Sequence, residues 1–220
     1  MKTPRHLRQR GVSLLFALLT LVAMMMATLA LVRSVDTSAL LLGNIGFKQD
    51  ATVTADQATR QAITWLTNNT ASLNSTAAAN GYYANTMDLA ADGTAKPVDA
   101  TGRQQSSANR QLVDWDGDGC KYTGAGTCSV QASSLANING NQAKYVIFRL
   151  CSKVGDFTAD PTITCATPLK SSAGGTTSKE ACDYKGCPIG VSGVQPYYRV
   201  VVRVQGARNT TSFTETIVHF

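Results

Sequence analysis

The sequence predicts an α+β chain: a long N-terminal hydrophobic helix packed on a C-terminal antiparallel β-sheet, with disulfide-stapled loops. Three observations predict it. Val12 to Val32 is a run of 21 residues without a charge. Residues near the C-terminus alternate between apolar and polar with a period of two. All six cysteines lie after residue 119. The 220 residues suffice for one domain with a real core, or one domain plus an appendage.

The apolar run comes first. As a helix it spans about 31 Å at ~1.5 Å per residue, the thickness of a bilayer core of ~30 Å. That argues against a freely soluble cytoplasmic protein. Lys2, Arg5, Arg8 and Arg10 precede it. Positive charge ahead of an apolar span puts the N-terminus in the cytoplasm. The remainder then lies where disulfides persist. The same four residues carry most of the net charge of +6. Without them 16 basic residues face 14 acidic ones. The pI of about 9.1 is therefore no sign of a nucleic-acid surface, and no direct nucleic-acid partner is expected. Three kinds of segment share this pattern. One is a secretory signal, with Ala27 to Ala30 as its cleavage site, although the run is long for an h-region of about 7–15 residues. The second is a plain membrane anchor. The third is a short basic leader ending in Gly, ahead of a helix that is kept.

Residues 33–66 read as the same helix leaving the membrane. Asp50, Asp56 and Arg60 can face water. Ala51, Ala55, Ala58, Ala62, Trp65 and Leu66 recur at three- and four-residue intervals and form an apolar stripe. Its small side chains allow close approach to a sheet. Gly43 and Gly46 each cost ~1 kcal/mol relative to Ala and predict a kink or local melting. Asn68 to Arg110 is rich in Asn, Ser, Thr, Ala and Gly and reads as irregular surface connection.

Strands follow. Lys144 to Cys151 sets Val146, Phe148 and Leu150 on one face. Tyr197 to Gln205 sets Tyr198, Val200, Val202 and Val204 on one face, with Arg199, Arg203 and Gln205 opposite. Gly206 to Asn209 is a turn, and Thr211 to Phe220 is the returning strand. Residues 152–196 form a looped excursion before this last hairpin.

The disulfide candidates are Cys120, Cys128, Cys151, Cys165, Cys182 and Cys187. Six cysteines allow fifteen pairings, so the connectivity stays open. Short loop closure favours Cys120–Cys128 as one bridge. Zinc is disfavoured, because no CxxC pair exists and the only histidines are His6 and His219. No nucleophile–base constellation, phosphate loop or complete metal-ligand set is present, so catalysis is not expected.

The sharpest chemical motif is Asp114-Trp115-Asp116-Gly117-Asp118-Gly119. Three alternating carboxylates and a turn-forming Gly match the first half of a calcium loop. Asp114, Asp116, Asp118 and the backbone carbonyl of Cys120 are its expected Ca²⁺ ligands. Ala125 stands where a complete EF-hand has a bidentate Glu, so a full EF-hand is excluded. Asp99, Asp156 and Glu180 are candidates for completing the shell. The competing reading is a solvated acidic turn with local Asx-type bonds. Ca²⁺ is favoured because close like charges repel without a cation, and its role would be to order the loop.

Arg10-Gly11-Val12-Ser13-Leu14-Leu15 resembles the start of type IV pilins, and of PilX-type minor pilins in particular. Arg33-Ser34, Gly43-Asn44, Ala55-Asp56-Gln57-Ala58, Ala62 and Trp65-Leu66 are similar to that family too. The resemblance covers roughly residues 10–66, returns weakly in the last 25 and misses the middle. It implies a type IV pilin-like fold: a leader at 1–11, an N-terminal helix at 12–66 with 12–32 in the membrane, and a periplasmic or extracellular head at 67–220. It implies cleavage by a prepilin peptidase between Gly11 and Val12, with methylation of the new amine on Val12. Phe16 departs from the pattern, since most pilins carry Glu at that fifth mature position. A buried carboxylate costs ~2.5–3.5 kcal/mol on insertion scales and is kept for a partner. Its omission favours an initiating or tip-associated subunit over an abundant trunk one.

The function so implied is a minor pilin of type IV pilus assembly. It would sit in the inner membrane, single-pass with its N-terminus cytoplasmic, and reach the cell surface in the pilus. Its partners would be major and minor pilins, the inner-membrane assembly machinery and a tip adhesin. The alternatives are a minor pseudopilin of type II secretion and a membrane-anchored periplasmic calcium-binding or adhesive module.

Overall fold

A computed structural model describes residues 12–90, 92–103, 109–121, 126–135, 137–168 and 195–219. The chain divides into two compact units, Met1–Lys48 and Gln49–Phe220.

Helix α1 runs from Val12 to Asn68. In the first unit it is long and apolar enough to cross a membrane. Its large side chains from Leu14 to Ile45 are exposed. The hydroxyls along it close on their own backbone: Thr20 donates to the Phe16 and Ala17 carbonyls, Thr28 to Met25, Thr37 to Arg33 and Ser38 to Ser34. None of these four hydroxyls therefore presents an unmet donor to hydrocarbon. The local melting expected at Gly43 and Gly46 is absent, because the helix continues through both. Glycine keeps its N–H, so it weakens the hydrogen-bond ladder without breaking it.

In the second unit the main sheet has the order β1-β6-β7-β8, with β5 on the same edge of β6 as part of the pairing. The ranges are β1 Tyr82–Tyr83, β5 Ser133–Ser134, β6 Gln142–Arg149, β7 Tyr198–Gln205 and β8 Thr211–Val218. The β6–β7 and β7–β8 pairs are antiparallel, as the alternation predicts. The β1–β6 pair is parallel, so the sheet is mixed rather than purely antiparallel. A 3₁₀ turn at Ala207–Asn209 joins β7 to β8. The alanine stripe packs as expected: Ala51, Ala55, Ala58, Ala62 and Leu66 share one core with Tyr198, Val200, Val202 and Val204. Asn141 anchors the start of this contact, donating to Asp50 at 2.6 Å and Thr54 at 3.1 Å.

A second sheet, unforeseen from the sequence, covers the other face. It consists of β2 Val98–Asp99, β3 Gln111–Asp114 and β4 Thr127–Gln131, all parallel. Val98, Val113, Trp115 and Val130 pack with Val146, Phe148 and Val201 in a second core. Strand β6 is therefore apolar on both faces, with Tyr145 and Ile147 toward the helix and Val146 and Phe148 toward the second sheet. Leu150, expected on the Val146 face, falls after the strand ends.

The segment 68–110 is not mere surface connection. It buries Leu73, Tyr82, Tyr83, Ala84 and Val98. The Tyr82 hydroxyl donates to the Leu73 carbonyl at 2.6 Å. Gly81 makes the approach of β1 to β6 possible. Its φ is +69°, and a Cβ there would lie 2.7 Å from the Ser133 nitrogen and 2.8 Å from the Tyr145 oxygen.

Candidate functional site

Gly11 lies outside the described residues, and Val12 opens α1. Phe16, on the next turn, is exposed. The expected leader junction therefore adjoins a helix whose first turn carries no acidic side chain.

The acidic loop follows β3 directly. Asp114 ends the strand, and its carboxylate accepts backbone N–H groups from Gly117 at 2.8 Å, Asp118 at 3.1 Å and Gly119 at 3.2 Å. Those amides converge because Gly117 and Gly119 have φ of +73° and +74°, which glycine adopts without penalty. Trp115 turns inward, fully buried, and donates its indole N–H to the Ala100 carbonyl at 2.7 Å. Asp116 turns outward and takes both terminal nitrogens of Arg203 on β7. Lys144 of β6 lies 3.8 Å from Asp116 and donates to the Trp115 carbonyl. The Arg203 guanidinium also covers the Trp115 ring, 5.5 Å from its centre. Asp118 accepts the Lys121 N–H at 3.2 Å.

The hydrogen bonds from Arg203 hold the Asp116 carboxyl below the usual carboxylate range, and the charges of Arg203 and Lys144 add to this against a smaller effect of burial. The like-charge repulsion that favoured Ca²⁺ is met here by two side-chain cations. Ca²⁺ takes six to eight oxygens at ~2.3–2.6 Å. Among the described residues the one group of three ligand-type side chains that meets within 4.8 Å is Asp114 with Cys120 and Cys128. Those two sulfurs form a disulfide and are not thiolate ligands. The acidic side chains do not converge on one ion in this arrangement. Asp99 faces elsewhere, paired with Arg110 at 2.5 Å and buried with it. Asp156 caps its own turn through Thr158. Ala125 and Glu180 lie outside the described residues.

Cys120–Cys128 forms as short closure suggests, bracing the loop. Cys151 pairs with Cys165, a pairing the sequence left open. Cys182 and Cys187 lie outside the described residues.

Sequence reasoning missed Arg149, a cation only 1% exposed. Its Nε donates to the Ala84 carbonyl at 2.9 Å. Its terminal nitrogens donate to Asn74 at 2.8 Å and to the carbonyls of Gly155 at 2.7 Å and Lys153 at 3.4 Å. Two of these acceptors lie in the loop closed by Cys151–Cys165. An arginine at a strand end gives no sequence signal of this role.

Comparison of the chain with family models, with curated proteins and with solved structures finds no match in any of the three.

Proposed function

We propose that this chain is a minor pilin of the PilX type, held in the inner membrane by α1 and drawn into a type IV pilus through that helix. The observation that carries the reading is the length of the apolar surface. It resumes after Val32, past the exposed charges of Arg33 and Asp36. Val35, Leu40, Leu41, Leu42 and Ile45 are also exposed, from 52% to 69%. From Val12 to Phe47 the helix is about 54 Å long at ~1.5 Å per residue, beyond even the ~40–45 Å of a bilayer with its head groups. Leu40, Leu41 and Leu42 are consecutive and so point to widely different sides. A lone anchor would leave them outside the ~30 Å hydrocarbon core, whereas a bundle of like helices covers them on every side. Phe16 in place of a carboxylate supports a tip or initiating position. The partners are then major and minor pilins, the inner-membrane assembly machinery and a tip adhesin.

Mass spectrometry of the mature chain tests the reading together with recovery from sheared fibres. The expected result is a chain beginning at N-methylated Val12 and present in the sheared fraction. An intact Met1, with the chain absent from fibres and their assembly complexes, leaves only a plain anchor.

Calcium at the acidic loop is a separable part of the proposal. The ion would have to take Asp116 from Arg203. Arg203→Ala should then strengthen Ca²⁺ binding measured by calorimetry on the whole chain. Absence of Ca²⁺ heat at millimolar ion in both proteins removes calcium from the reading and leaves the fibre role untouched.

A further inference from the structure

On the face of the main sheet away from α1, beside the second sheet, lies a cleft of about 330 Å³. Its floor is apolar: Val98, Val201 and Phe213. Its polar lining includes the cross-strand pair Arg199–Glu215, at 3.1 Å, and Thr101, whose hydroxyl donates to Asp99 at 3.1 Å. Arg199 rests on Phe148, 5.9 Å from the ring centre. Its Nε is buried and has no acceptor among the described residues.

Three properties define what fits. The charges cancel, Arg199 against Glu215 and Asp99 against Arg110, so neither an anion nor a cation gains from the field. A guanidinium donor and a carboxylate acceptor stand side by side, which suits a ligand with closely spaced groups that both donate and accept. The apolar floor suits a ligand with one C–H-rich face. The volume falls at the small end of the ~300–1,000 Å³ range of ligand pockets. We infer that this cleft binds a neutral pyranose ring, free or at the end of a glycan, with vicinal hydroxyls on Arg199 and Glu215 and its C–H face on Phe213 and Val201. The site does not depend on the fibre reading.

The test uses the full chain in a detergent whose head group carries no sugar. Saturation-transfer NMR is recorded with glucose, galactose, mannose and N-acetylglucosamine at millimolar concentration, and a glycan array separates free sugar from chain ends. At least one hexose should receive saturation. Its affinity should fall about tenfold or more in both Glu215→Gln and Arg199→Lys, with unchanged circular dichroism, since each substitution removes a charge-assisted bond. Thr101→Ala, outside the ion pair, provides a check should Arg199→Lys fold poorly, and it should weaken binding as well. No transfer from any hexose and a blank array overturn the proposal. So does sugar binding that all three variants leave unchanged.

Discussion

Single residues carry the most exposed consequences of this fold. Gly81 has no room for a side chain, and the atoms it would strike are backbone of β5 and β6. Gly81→Ala should cost about 2–4 kcal/mol, combining left-handed strain with displaced strands, read as a lowered denaturation midpoint. Arg149→Met should cost about 3 kcal/mol, because four carbonyl acceptors lose a charged donor at once. Asp116 behaves differently, being surface-placed. A carboxylate whose folded pKa is depressed adds stability that is complete above its unfolded value near ~4 and is lost as pH falls through the folded one. The stability difference between the parent and Asp116→Asn should therefore shrink as acid is added below about pH 4. A constant difference down to the folded pKa would show that Arg203 does not hold this group. Tyr82, Tyr83 and Tyr198 work from the alkaline side. Burial, the main cause in each, pushes all three hydroxyls up. Their contribution is present below the ordinary value near ~10 and is lost as pH rises above it.

At the scale of elements, α1 and β7 were readable and their surroundings were not. Ala58 and Ala62 are wholly buried against the sheet, so Ala58→Leu should destabilise by about 1–3 kcal/mol through overpacking. Val53→Ala, on the exposed side of the same helix, should change a thermal midpoint little. These contrasts follow from helical spacing alone, and so were visible beforehand. The period-two pattern likewise gave β7 and β8 within a residue or two. Strand β6 misled because apolar residues on both faces abolish the alternation that reveals which side is inside. Strands β1 and β2 are two residues each, too short for any period to register. The acidic loop was found by its carboxylates, but its counter-charge was not. Arg203 lies 87 positions away, and only the folded sheet brings it to Asp116. Arg149 was silent for the same reason, since three of its acceptors are backbone carbonyls that every residue possesses and the fourth is Asn74, 75 positions away.

For the whole molecule, the apolar length of α1 separates stability of the head from any role in a fibre. A Leu41→Asn substitution lies in the first unit, before the buried stripe that begins at Ala51. It should leave the head's denaturation midpoint unchanged while lowering the amount of chain in sheared fibres severalfold, because a bundle must then bury an amide without a partner. Equal recovery would count against helix burial as the joining force. The two layers flanking the main sheet offer one last use. The chain's only tryptophans fall on opposite sides of it: Trp65 borders the helix layer, and Trp115 sits in the second-sheet layer. Each indole is thus a private fluorophore for its own side. Emission from Trp65→Phe and Trp115→Phe proteins, followed through denaturation, would reveal whether both layers melt together or one peels away first.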